Sequence, residues 1–179
     1  MNKLLLLIAI LSFNISKAQD NQIPTNEKTG NAEYVDVVNV EGASDSLLYE
    51  RALAWINEFY PNPSGTIDSQ DTLAREISCK ARFRIMFTDK KGNKSLGGHV
   101  AYNMTLQFKN GKYRYLVDRI RWEKPSYYDV SRWENKEDPE YQEERYEQYV
   151  EQTVNYFNGL IDSLEERMAT AEEAESTDW

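Results

Sequence analysis

The sequence predicts an α+β fold, an antiparallel sheet in the order β-α-β-β-β-β-α with both helices on one sheet face. A period-2 alternation of apolar and polar residues runs over 77–87 and again on both sides of Asn110-Gly111. Two apolar stripes of helical period, at 48–59 and 146–168, stand outside that run of strands. Helices segregated from consecutive antiparallel strands pack together on one side of the sheet and leave the other side to solvent.

Residues 1–18 read as an export signal. Lys3 precedes an unbroken apolar run at 4–11, and Ser16 and Ala18 stand at −3 and −1 of a cleavage point after Ala18. That run is well short of the ~20 residues a spanning helix needs. The single cysteine, Cys79, is remote from the junction, so no lipid anchor attaches there. The expectation is a periplasmic or secreted chain with no membrane span after cleavage. Residues 19–33 are polar, carry Pro24 and Gly30, and read as a flexible lead-in. Residues 34–170 read as one α+β domain, and 171–179 as a disordered acidic tail.

Within the domain, Tyr34-Val35-Asp36-Val37-Val38-Asn39-Val40 is a β-branched run of strand length. Gly42 breaks it, and Ser44 or Ser46 caps a helix by accepting from a first-turn N–H. Leu48, Ala52, Trp55, Ile56 and Phe59 share one face of that helix, and Pro61 and Pro63 end it. A short run at 65–68 and a polar turn lead into the strand 77–87. There Ile77, Cys79, Ala81, Phe83, Ile85 and Phe87 face the core, while Ser78, Lys80, Arg82, Arg84 and Met86 face away. Residues 89–98 read as a loop.

Asn110-Gly111 between two alternating runs predicts a two-residue type I′ turn, in which both residues take positive φ. The turn sets the register as Phe108–Tyr113, Leu106–Tyr115 and Met104–Val117 on the core face. Beyond Val117 the parity turns Arg119 and Arg121 inward. A β-bulge near Asp118–Arg119 returns Ile120 and Trp122 to the core. Residues 124–138 form a long connection with Tyr127, Tyr128 and Trp133. Asp138-Pro139 reads as the start of the last helix, an acidic cap with proline at the first helical position.

Charge is divided unevenly. The chain has 30 acidic and 21 basic side chains, and loss of Lys3 and Lys17 with the signal leaves 19 basic, a balance of −11. Residues 75–124 hold 13 bases and 4 acids, whereas residues 133–179 hold 15 acids and 3 bases. One histidine and one cysteine leave little for a zinc site, a Cys–His nucleophile or a disulfide framework. Neither G-x-S-x-G nor H-E-x-x-H occurs, and no spacing singles out a carboxylate pair. The expectation is a non-enzymatic protein with no cofactor and no metal.

The candidate site is the open sheet face. With Phe83 placed opposite Met104, that face shows rows Lys80–Gln107–Arg114, Arg82–Thr105–Leu116 and Arg84–Asn103–Asp118, with Lys109 and Lys112 at one end. Arginine binds carboxylate, sulfate and phosphate bidentately, so the face suits an anionic glycan or peptide. The plainer alternatives are a solvated β-face, or one neutralised by the acidic helix (Glu143, Glu144, Glu147, Glu151) of a neighbouring copy in a homo-oligomer. Nucleic acid is not expected, because stacking needs exposed rings and Tyr113 and Tyr115 fall on the core face. Tyr127, Tyr128 and Trp133 are either an aromatic platform for a sugar or peptide, or anchors that pack the connection onto the body. His99 has no second ligand for a metal, and Cys79 has core parity.

The element order, the signal and the hairpin Leu106-Gln-Phe-Lys-Asn-Gly-Lys-Tyr-Arg-Tyr-Leu116 resemble DUF4468, a family of secreted Bacteroidetes proteins of unknown function with a TATA-binding-protein-like fold. The family's hairpin typically reads Asp-Gly-Arg-Tyr-Arg-Tyr, and Asn110-Gly111-Lys112-Tyr113-Arg114-Tyr115 stands in its place here. The resemblance covers about residues 34–168 and implies a fold without catalytic residues; fold does not fix function.

Overall fold

A computed structural model of the chain describes residues 21–170. The signal at 1–18, the first residues of the lead-in and the acidic tail at 171–179 lie outside the described residues. The elements run β1 (Tyr34–Asn39), α1 (Asp45–Phe59), α2 (Pro63–Thr66), β2 (Ile67–Asp71), β3 (Glu76–Thr88), β4 (Lys94–Lys109), β5 (Lys112–Trp122), β6 (Tyr128–Asp129) and α3 (Glu143–Ala169), with a 3₁₀ turn at Val130–Glu134. The strands pair antiparallel in the order β1-β5-β4-β3-β2, and β6 joins β5 beyond β1. This is the expected α+β architecture, with a two-residue strand and two short helical turns added.

Period 2 sorts the strands as anticipated. Ile77, Cys79 and Ile85 of β3, Val100, Tyr102, Met104, Leu106 and Phe108 of β4, and Tyr113, Tyr115 and Val117 of β5 are all buried. Against them lie Leu48, Ala52, Trp55 and Ile56 of α1 and the stripe Tyr146–Met168 of α3, in one continuous core. Ser44 caps α1, its Oγ accepting from Leu47 N at 3.1 Å. Cys79 sits in this core, where burial first and Asp68 second push its thiol up to about 12. A buried thiol of that kind is inert. Native protein at pH 8 should therefore react with iodoacetamide at least ~100-fold more slowly than denatured protein, because the thiolate is the nucleophile. Equal rates would place Cys79 outside the core.

The hairpin keeps the expected register, with Phe108 opposite Tyr113 and Met104 opposite Val117. Its turn is not the mirror type, however, since only Gly111 takes a positive φ (+75°). Tertiary hydrogen bonds override the local preference. Gly111 N donates to Ala43 O at 2.8 Å, Val40 N to Gly111 O at 2.8 Å and Asp45 N to Asn110 Oδ1 at 3.0 Å. The bulge falls where parity demanded it: the register shifts between Asn103↔Asp118 and Ala101↔Arg121, and Arg119 takes φ +51°. Ile120 is thereby fully buried and Arg121 is turned to the open face.

Four further expectations are corrected. The 89–98 loop shrinks to a turn, because the Asp89 carboxylate gathers Lys91 N, Asn93 N and Asn93 Nδ2 within 3.0 Å. β4 thus begins at Lys94, and a bulge at Gly97 separates Met86↔Leu96 from Ile85↔Gly98. α3 begins at Glu143 rather than at Asp138-Pro139. Asp138 is buried in a turn instead, its carboxylate accepting from Arg132 and from Glu140 N. Residues 21–33 are not a structureless lead-in: Thr25 bridges Ala32, and Ile23 and Ala32 are buried. Finally, Phe83 lies opposite Val100 and Cys79 opposite Met104, a four-residue slip from the expected pairing.

Candidate functional site

The open face is built on β3, β4 and β5, and the corrected register fixes its rows. Glu76–Gln107–Arg114–Val37 comes first, then Ser78–Thr105–Leu116–Val35, then Lys80–Asn103–Asp118. Beyond the bulge come Arg82–Ala101–Arg121–Asp129 and Arg84–His99, with Glu123 N donating to His99 O at 2.8 Å. The face therefore has two halves. One is mild: Val35 and Val37 are half exposed, Leu116 lies beside them, and Arg114 is tied through Gln107 to Glu76 (3.3 and 2.8 Å). The other is basic.

The six predicted cations accordingly divide. Lys80, Arg82 and Arg84 stand in successive rows of the basic half. Arg114 lies six residues away along β4, about 20 Å at a strand's rise per residue. Lys109 and Lys112 pair with one another at the hairpin end, exposed and farther still. In their place the bulge brings Arg119 and Arg121. The signal for them was in the sequence, since the bulge that rescues Ile120 also reverses Arg121.

These side chains border a shallow basin of about 770 Å³. It is lined by Ala101 and Asn103, by Lys80, Arg82, Arg119 and Arg121, and by Tyr60, Pro61, Asn62, Gly65 and Thr66 around α2. Arg82 and Arg121 flank Ala101 in one cross-strand row, about 10 Å apart at the backbone from two inter-strand spacings. The alanine puts little bulk between the two arginines, and the Glu123 carboxylate reaches in from just past β5 to line the same basin. Lys80 pairs with Asp68 at 2.8 Å, Arg82 with Glu123 at 3.2 Å, and His99 Nδ1 lies 3.8 Å from Glu123. Arg84, Arg119 and Arg121 have no ion pair within 4 Å among the described residues. Burial raises the Asp118 carboxyl above the ordinary carboxylate range, Arg119 opposes this, and Glu33 adds to it.

The aromatic connection does not cover this face. Tyr128 and Trp133 turn into the core beside Trp122, Tyr146 and Tyr149, where they are 1% exposed. Tyr127 alone stays outside, its hydroxyl donating to Asp129 Oδ2 at 3.2 Å. The three rings form no common platform. Among the described residues no group of three or more His, Cys, Asp or Glu side chains is placed to hold a metal ion. No described helix is long and apolar enough to cross a membrane.

An antiparallel sheet roofed on one side by two helices, with a basic reverse side, places the molecule among the α+β proteins of TATA-binding-protein-like fold. Residues 34–123 match the family model described as a domain of unknown function (DUF4468) with TBP-like fold, and the chain belongs to that family. The structure is similar to the crystal structure of a DUF4468 family protein from Bacteroides ovatus, at 15% identity and a TM-score of 0.65, covering 84% of this chain and 92% of that one. It is equally similar to a TBP-like protein from Parabacteroides distasonis, at 14% identity and a TM-score of 0.65, covering 83% and 99%. No curated protein matches the sequence.

Proposed function

We propose that the chain is an exported, non-enzymatic binding module whose open sheet face takes an anionic ligand in the basin between Arg82 and Arg121. One observation carries this reading: two arginines flank an alanine in a single row, and Arg119 and Lys80 close the same space. Arg121 has no ion pair among the described residues and Arg82 is paired with the exposed Glu123, which an incoming carboxylate or sulfate would displace for bidentate contact. The acids in these rows and pairs, Asp68, Asp118, Glu123 and Asp129, are fewer than the five cations Lys80, Arg82, Arg84, Arg119 and Arg121.

The test is binding of a heparin hexasaccharide at low salt. Arg82→Ala combined with Arg121→Ala should weaken it at least tenfold, since each charge-assisted contact contributes about 1 kcal/mol or more. Arg114→Ala should change it less than ~2-fold, because Arg114 is engaged with Gln107 about 20 Å away. Equal losses from both variants would return the site to the whole face. Light scattering should give a monomer. A mass that falls with added salt would instead mark the basin as the counter-surface for the exposed Glu147 and Glu151 of a neighbouring α3.

A further inference from the structure

The outer edge of β3 is protected in two different ways, and the protection stops between them. At one end β2 pairs with Glu76–Cys79. At the other, α3 supplies two glutamine side chains in place of a strand. Gln152 Oε1 accepts from Met86 N at 2.9 Å and its Nε2 donates to Met86 O at 2.8 Å. Gln148 does the same at Thr88, 2.9 Å each way. Backbone groups of alternate residues point to the same side of a strand, so Arg84 and Arg82 direct their N–H and C=O to this same edge. β2 stops short of them, and the two glutamines are spent on Met86 and Thr88.

The two faces of this gap differ. On the open side stand the exposed Arg82 and Arg84 side chains. On the helix side lies half-buried Phe83, its ring stacked on half-buried Tyr156 at 3.8 Å. α2 borders one end and Gln152 the other, with the basin alongside. A guest strand placed here meets arginine with one set of alternate side chains and an aromatic surface with the other. Its backbone satisfies the free N–H and C=O pairs, which a glycan has no matching repeat to do.

We infer that the ligand is an extended acidic peptide from another protein, alternating carboxylate and apolar side chains, which adds as a strand to the β3 edge at Arg82 and Arg84. This rests on the anion-binding reading of the basin and narrows its ligand class. Charge complementarity decides against an uncharged strand, because an edge that carries Arg84 without an ion pair among the described residues, beside Arg82 paired only with exposed Glu123, repels basic segments and discourages neutral ones.

The probe is a blocked Val-Glu-Val-Glu-Val-Glu-Val peptide added to the full chain, with two analogues N-methylated either at the Glu amides or at the Val amides. One analogue should lose at least tenfold in affinity and the other should hold within about threefold, because only one set of amides faces β3. Hydrogen exchange at the amides of Arg82 and Arg84 should slow at least tenfold with peptide and be unchanged by heparin hexasaccharide. If both analogues bind like the parent while heparin binding still depends on Arg121, strand addition is overturned and the basin survives. If neither peptide nor heparin binds, both readings fall. If those amides are already protected in the chain alone, and deletion of 171–179 exposes them, the ligand is the chain's own tail and the inference of a partner is overturned.

Discussion

Gly98→Ala is expected to destabilise the fold by about 3 kcal/mol or more, from backbone strain and overpacking together. Gly98 follows the β4 bulge with φ +124°, a conformation that side chains with a Cβ rarely adopt. A Cβ there would also lie 2.5 Å from Trp122 Nε1. The indole cannot retreat easily: its N–H donates to Gly97 O at 3.0 Å, and its rings pack edge-on against Tyr128, Trp133, Tyr146 and Tyr149. Urea unfolding should show a lowered midpoint at unchanged slope. A loss below about 1 kcal/mol would mean that the bulge relaxes, and that the aromatic cluster does not fix this corner.

Phe157→Ala should cost about 3–5 kcal/mol, the range for deleting a buried aromatic ring. Phe157 is fully buried at the point where β1, β3, β4 and α3 meet. Its ring lies 4.8 Å from Tyr34, 5.7 Å from Phe83, 5.1 Å from Tyr102 and 5.4 Å from Tyr156. The cavity cannot collapse readily, because Tyr102 is held on both sides by hydroxyl hydrogen bonds, 3.0 Å to Tyr60 and 2.8 Å to Tyr156. Thermal unfolding should fall by roughly 10 °C, at the few degrees per kcal/mol of a chain this size. Phe157→Leu, which keeps most of the volume, should fall by less than half as much. Equal drops would show that shape rather than cavity volume governs the site.

What the sequence made legible was whatever depended on local parity. The hairpin register followed from two residues between alternating runs, and the bulge followed from Ile120 and Trp122 having the wrong parity for the core. The β3–β4 register was not legible, for a definite reason. A slip of four residues leaves every apolar side chain on the same face, so hydrophobic patterning cannot reject it. Only the length of the connection could, and the three hydrogen bonds that Asp89 accepts made that connection shorter than its polar composition implied. The same slip parted Arg114 from Arg82 and brought Lys80, Arg82 and Arg121 together. The start of α3 was missed because Asp138 is held by Arg132 in a tertiary ion pair. Gln148 and Gln152 carried no signal at all, because a glutamine on a helix reads as solvated until its partner strand is known.

Those two glutamines set a limit on how far a helix can stand in for a strand. Four residues of helix advance about 6.0 Å, while two residues of strand advance about 6.6 Å. A side chain every fourth position therefore keeps step with every second amide for a couple of contacts, then drifts by a further ~0.6 Å at each one. The next helical position in that series is Tyr156, and there the contact changes character, from an amide grip on the main chain to a ring lying against Phe83. The two rulers have begun to disagree where the β3 edge opens, and the residue that falls there is a tyrosine, whose hydroxyl is engaged by Tyr102 and which has no carboxamide to grip the main chain.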